Sequence, residues 1–375
     1  MVLPTVNFKM THFEQDSPKK GEDSSGSGDG ATGNLSRRTT PQSRFTFHQP
    51  LFSGFKEIAS LSAGGADRKA HELRYQRAKE LLWVDVSDSF YALMQARQDV
   101  AILTETSGIM DRRIADLNER IKLGRSRQSE VQSSIGDQKI IEAELAGARR
   151  VEKTTRELFE FYIGRELREE LVDAPELPRE ISDPLYYLTK AAVRSDVRAS
   201  EQEYILAQKK VISAQSGFFP QIYLDGNYYT RRVGFQGGID WDATLTMDVP
   251  IFDGMQTIGE VRETASQREQ ARLAWYQAQR WAALEVQQQY DSYQTGVEEE
   301  AALREARDAV KESYRLQTED YKLNLVNNLE VLDSLRRYQE VYRSWNTSFF
   351  ETKKAYWALK AAAGDTGAEN TGRPK

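Results

Sequence analysis

The chain has 375 residues, 39% of them hydrophobic and 29% charged, with a net charge of −6 at pH 7. No window approaches the roughly 18 to 20 uninterrupted apolar residues that a spanning helix needs, so any membrane passage must use β-strands in a closed barrel. The absence of cysteine excludes disulfides, a thiolate metal site, a cysteine nucleophile and a lipidated cysteine.

From the N-terminus, MVLPTVNFKMTHF has neither a basic start nor the apolar stretch of a secretory signal. Period-2 alternation then marks the first strand, 4–13, with Val6, Phe8 and Met10 alternating with Asn7, Lys9 and Thr11. After a Gly/Ser/Asp-rich stretch from Gly21 to Gly33 comes a second strand at 44–52, in which Phe45 and Phe47 alternate with Thr46 and His48. Helices are expected at about 54–122 and 128–170, with a linker to 182. Their first seam runs through Leu93, Ala96, Val100, Leu103, Ser107, Met110, Ile114, Leu117 and Ile121 in 3-4 spacing, which implies left-handed coiled-coil packing.

The same order then returns. A helix is expected at 183–217, strands at 219–232 and 241–252, and helices at 254–322 and 328–363, with a disordered tail at 366–375. FTFHQPLFSG from Phe45 to Gly54 lies over LTMDVPIFDG from Leu245 to Gly254, and the register holds to Lys322-Leu323 against Lys122-Leu123 and Glu330-Val331 against Glu130-Val131. The chain therefore reads as two structural repeats, 1–182 and 183–365. The second seam runs through Val331, Leu335, Tyr338, Tyr342, Trp345, Phe349, Thr352, Tyr356 and Leu359. With no proline between Gly54 and Lys122 or between Gly254 and Lys322, each long helix has room for about 100 Å, too long to bury its seam inside a compact globule. The second repeat has a helix before its first strand and the first has none. A helix and a signal upstream of Met1 are therefore expected.

Strand pairs leading through a Pro-x-Phe-x-Gly element into paired long helices, all duplicated, resemble the TolC-like outer-membrane factor family. The motifs that carry the resemblance are Arg194-Ser195-Asp196-Val197-Arg198, Phe218-Phe219-Pro220, Val249-Pro250-Ile251-Phe252-Asp253-Gly254, and Tyr321-Lys322-Leu323-Asn324-Leu325 followed by Leu329-Glu330-Val331-Leu332-Asp333. At Asn324 the family usually has glycine.

The resemblance implies a mainly α fold with β. Long antiparallel coiled-coil helices would form an α-barrel, and four strands per protomer would contribute to a trimeric 12-stranded outer-membrane β-barrel. It implies a homotrimer in outer-membrane lipid, a periplasmic adaptor protein and an inner-membrane pump as partners, and loops from Glu14 to Ser43 and from Val233 to Asp240 facing outward. It assigns Glu330 and Asp333 to a ring of carboxylates at the periplasmic aperture, and Tyr321 and Glu130 to a hydrogen bond that holds the gate closed. Val326 stands where a second link would need arginine. The tips, with Gly124 and Arg125 in the first repeat and Asn324, Leu325 and Val326 in the second, would meet the adaptor; Leu325 and Val326 are expected to expose apolar side chains there.

No catalytic or cofactor motif is present, and His12, His48 and His71 are too scattered for a metal set. Interleaved basic and acidic residues give no nucleic-acid footprint. Glu298 to Glu300 reads as a solvated helix face. The rival reading is a soluble or periplasmic coiled-coil scaffold or adaptor.

Overall fold

The computed structural model describes residues 3–14, 39–173, 181–233 and 237–366. The element order is β1 (Thr5–Glu14), β2 (Thr39–Ser53), α1 (Lys56–Lys122), α2 (Gln128–Ile163), α3 (Pro184–Ala191), α4 (Ser195–Gln215), β3 (Gln221–Arg231), β4 (Trp241–Asp248), α5 (Gln256–Lys322) and α6 (Asn328–Ala362). Both α1 and α5 have 67 residues. Most of the expected loop at 14–43 and almost all of the expected tail lie outside the described residues.

Four boundaries differ from the sequence expectation by more than two residues or split an element. The helix expected to reach 170 stops at Ile163, because Gly164 takes a left-handed φ of 69° and ends it. The helix expected over 183–217 is broken at 192–194 into α3 and α4, where the Asp196 carboxylate accepts from the Val197 backbone N–H and the Arg194 side chain turns into the interior. β4 ends at Asp248, just before Pro250, which has no N–H to give a ladder. β2 begins five residues earlier than expected, at Thr39 against 44.

The described residues form two compact units that cut across both repeats, one within Met1–Ala70 and Ser200–Trp275, the other His71–Ala199 and Tyr276–Lys375. In the first, the strands make one antiparallel sheet in the order β1-β2-β3-β4. Its register sorts the side chains into two faces. Val6 pairs with Phe47, Phe8 with Phe45, Phe45 with Tyr228, Leu224 with Leu245, Ile222 with Met247 and Tyr228 with Trp241, so one face is apolar across all four strands. That face is uncovered: Val6, Phe8, Leu245, Met247 and Trp241 are each more than half exposed. The other face carries Asn7, Thr46, Asn227 and Asp242 in one row and Thr5, His48, Asp225 and Thr244 in the next. There His48 Nδ1 lies 2.7 Å from Asp225 Oδ1, and Asn227 donates to Asp242 at 2.7 Å.

The step from strand to helix uses two successive left-handed residues in each repeat, Gly54-Phe55 and Gly254-Met255. The two glycines are not equivalent. A Cβ on Gly54 would meet Ser216 O at 2.7 Å and Phe219 Cβ at 2.8 Å, whereas one on Gly254 meets nothing within 4 Å. Gly54→Ala is therefore expected to destabilise by about 1 to 3 kcal/mol more than Gly254→Ala, read from thermal unfolding of the two variants. Equal costs would mean that the close approach at Gly54 is not made.

In the second unit the seams are buried where their spacing put them. Leu93, Leu103, Met110 and Leu117 on α1, and Val331, Leu335, Tyr338 and Leu359 on α6, belong to its core. Glu300 departs from the solvated reading: it accepts from the Trp345 indole N–H and from Arg304, each at 2.8 Å.

Candidate functional site

The hairpins α1-α2 and α5-α6 turn by the same geometry. The Gly124 N–H donates to Ile121 O at 2.9 Å and that of Arg125 to Arg120 O at 2.8 Å; Asn324 donates to Tyr321 O at 3.1 Å and Leu325 to Asp320 O at 2.9 Å. Both are Schellman caps, which need a left-handed residue at the first position past the helix. Gly124 has φ 71° and Asn324 φ 61°. Asparagine is among the side chains that tolerate this region, so Asn324 keeps the turn that glycine makes elsewhere. Past the second turn, Asn327 caps α6: its Oδ1 accepts from the Glu330 N–H at 3.1 Å, and its Nδ2 donates to Glu330 Oε1 at 2.7 Å. Glu330 is thereby fixed in the first turn, where the helix dipole favours a carboxylate.

Between the hairpins, Tyr321 is 5% exposed and packs with Leu117, Val131 and Val331. Its ring lies under two guanidiniums, Arg113 at 3.6 Å and Arg120 at 4.4 Å from the centroid. Arg113 also donates from Nε and Nη2 to Asn328 Oδ1 at 2.9 and 2.8 Å, and Asn328 Nδ2 donates to Ser134 Oγ at 3.2 Å. Asn328 is 3% exposed, so this chain from α1 through α6 to α2 is an interior link. Burial pulls the Arg113 pKa below its ordinary value, with Tyr321 and Asp116 opposing that shift. Among the described residues no hydrogen bond joins Tyr321 to Glu130. Glu130 accepts instead from Ser126 Oγ at 2.6 Å, a hydroxyl one turn earlier that reaches it with no long-range closure.

Glu330 and Asp333 are both exposed on the start of α6. Arg336 lies 3.4 Å from Asp333 and 3.3 Å from Asp137 on α2. Of the apolar tip residues, Leu325 is 70% exposed, and Leu123, Leu323 and Leu329 join it at 60% or more. Val326 differs from expectation. It is half-buried against the cluster of Leu117, Val131, Tyr321 and Val331, because the turn folds it back onto the hairpin. Gly124 and Arg125 are exposed.

Sequence reasoning missed Arg113, Asn328 and Ser134. All three fall outside every quoted motif. It noticed Arg194 and Asp196 as a motif without seeing what they hold. The Arg194 side chain is 1% exposed and donates to both oxygens of Asp196 (2.8 and 2.9 Å), to Glu285 (2.8 Å) and to the Ala362 carbonyl (2.8 Å). Beside it Arg77 donates to Glu80 and to the Ala361 carbonyl, both at 3.0 Å, and Ser195 donates to Glu80 at 2.8 Å. The two arginines donate to carbonyls in the last turn of α6, where Ala361 also accepts from the Gly364 N–H at 3.0 Å.

Burial pushes the Asp196 carboxyl up, but the hydrogen bonds and charge of Arg194 outweigh it and hold the pKa below the ordinary value. Such a group adds stability above its unfolded pKa, about 4, and the contribution is lost as pH falls through the lower folded value. Wild type is therefore expected to lose more stability than Asp196→Asn when urea midpoints are followed downward from about pH 4. Parallel curves would show that Asp196 is not held this way.

Residues 189–364 match the model of the outer membrane efflux protein family. Nodulation protein T of Rhizobium leguminosarum bv. viciae is 25% identical over 173 residues, 45% of this chain and 36% of that protein. Outer membrane protein OprJ of Pseudomonas aeruginosa is 27% identical over 148 residues, 38% of this chain and 31% of that protein. The match thus spans about a third of the length of these relatives. The solved Campylobacter jejuni CmeC outer membrane channel superposes with a TM-score of 0.82 at 14% identity, covering 97% of this chain and 78% of that one. The shared fold is one of long helical hairpins and a four-stranded antiparallel sheet. The chain is thus similar to the outer membrane efflux protein family over its second half, and its fold matches that of the CmeC channel over 97% of its length.

Proposed function

We propose that the chain is one protomer of a homotrimeric outer-membrane exit duct, a passive conduit and not an enzyme, serving a tripartite efflux or type I secretion system with a periplasmic adaptor and an inner-membrane pump. The observation that carries this is the sheet. A four-stranded sheet with one mainly apolar, uncovered face and one polar face suits a barrel wall between lipid and water, and β1 and β4 each have one edge with no strand beside it among the described residues. Three copies joined edge to edge would close a twelve-stranded barrel and remove those edges.

The helical hairpins belong in the periplasm, and their tips carry the aperture. Three copies of Glu330 and Asp333 form a ring of carboxylates that attracts cations and repels anions. The exposed Leu123, Leu323, Leu325 and Leu329, with Gly124, Arg125 and Asn324 at the turns, offer the adaptor a partly apolar surface. Val326 supports that surface from beneath. The link that holds the tips together runs through Arg113, Asn328 and Ser134, with Tyr321 stacked under the guanidinium and not bonded to Glu130. The two repeats, 1–182 and 183–365, supply equivalent hairpins with unequal roles.

Planar-bilayer conductance of the purified chain tests this. A small cation-selective conductance is expected, with the reversal potential in a salt gradient moving toward zero in Glu330→Ala plus Asp333→Ala. A protein that stays soluble and never conducts would return the coiled-coil scaffold reading. Conduction with unchanged selectivity in the variant would remove the aperture assignment alone.

A further inference from the structure

On the polar face of the sheet, positive charge is concentrated at one level. Lys9 on β1 and Arg44 on β2 are direct cross-strand partners, so two cations stand side by side on one face. Like charges directly opposite each other destabilise a strand pair. Arg44 pairs in turn with Tyr229 on β3, reaching its hydroxyl at 3.5 Å, and its guanidinium lies 5.9 Å from the ring centroid. Arg232, which follows β3, lies over the same ring at 4.0 Å. Arg232 lies 3.6 Å from Asp242, whereas among the described residues no carboxylate forms an ion pair with Lys9 or Arg44. These two positive charges per protomer are left over.

The local backbone is shaped around this group. The register slips between Ser43 and Arg44, where Ser43 faces Arg231 and Arg44 faces Tyr229, leaving Thr230 as the extra residue of a bulge. The bulge is held by a 2.8 Å contact between the hydroxyls of Ser43 and Thr230. Bulges re-aim side chains and gather next to functional sites. Here one sets Arg44 against Tyr229 in the same row as Lys9. Tyr229 is itself buried and supplies the π-face on which both guanidiniums rest.

We propose that Lys9, Arg44 and Arg232 form a binding belt for multivalent anions inside the barrel, near the strand ends that lead to 15–38 and 233–240. The proposal rests on the duct reading for which face lines the lumen. Three protomers place six uncompensated positive charges around one level of the pore, where field lines are focused by the apolar wall outside. Polyphosphate-type anions bridge such charges from the two sides of a strand pair and relieve the repulsion between Lys9 and Arg44. The belt is opposite in sign to the carboxylates at Glu330 and Asp333, so the two levels act on different ions.

The test is block of single-channel current by tripolyphosphate added to one side at a time. Wild type is expected to be blocked from the loop side, more weakly as salt rises, and Lys9→Gln plus Arg44→Gln to need roughly tenfold more tripolyphosphate. Lys9→Arg plus Arg44→Lys keeps the charges and is expected to keep the block. Equal block in wild type and the Gln variant, or none in wild type, overturns the belt and leaves the duct standing. Should the protein not conduct at all, the duct reading falls, and equilibrium dialysis of tripolyphosphate against the detergent-solubilised protein decides the belt by itself. Binding lost only in the Gln variant supports it; binding equal or absent in both overturns it.

Discussion

Arg194→Met is expected to be the most destabilising single substitution outside the core, by about 3 to 5 kcal/mol, because it removes one partner from a buried ionic cluster and leaves the others charged. Asp196 would lose both guanidinium donors and keep Arg77 at 3.8 Å and the Val197 backbone N–H, Glu285 would be left with Arg77 at 3.5 Å, and the Ala362 carbonyl at the end of α6 would lose its donor. Methionine fills much of the volume, so the loss is charge and hydrogen bonding more than packing. Arg198, four residues on in the same motif, is exposed. Arg198→Met is accordingly expected to stay within about 0.5 kcal/mol of wild type. Urea unfolding followed by far-UV circular dichroism separates the two. Equal midpoints would mean that the cluster joining α1, α4, α5 and α6 contributes no net stability.

What could be read from the sequence follows from how local each determinant is. The seam residues Leu93, Leu103 and Leu117 were placed correctly because a 3-4 repeat is sustained over many turns, and only one helix face satisfies it. The strands were found by alternation, and the repeat then set which strands are equivalent. The break at 192–194 was not legible, since Ala192 and Val193 carry no stop signal. The helix ends there because Arg194 finds acceptors on α5 and at the end of α6, which are distant in sequence. At the tips the residue types were found and their partners were not. Tyr321 and Glu130 are both where the motifs put them, yet a serine four residues before Glu130 competes for its carboxylate, and two arginines on α1 compete for the tyrosine ring. A motif fixes a residue's place along the chain. The competition among its neighbours fixes its bond.

On the proposed duct reading, that competition makes Arg113 the residue on which a closed arrangement of the tips would depend, and Arg113→Ala is expected to raise the mean conductance. The substitution leaves Asn328 Oδ1 buried without its two donors and lifts one of the two cations from the Tyr321 ring. An unmet buried acceptor costs about 1 to 3 kcal/mol. If the closed state carries that cost and an open state does not, the open population rises by about 5- to 150-fold. Arg113→Lys keeps the charge but cannot give Asn328 two donors from one planar group, so an intermediate increase is expected. Ser134→Ala removes the far end of the same chain and is expected to raise conductance less, since Asn328 keeps Arg113. The order Arg113→Ala, Arg113→Lys, Ser134→Ala, wild type in single-channel conductance tests the link as a unit. An increase for Ser134→Ala alone would place the hold on α2 and not on the guanidinium. No change for Arg113→Ala would mean that the tips are held by their apolar contacts around Leu117, Val131 and Val331, with the polar chain only filling the space between them.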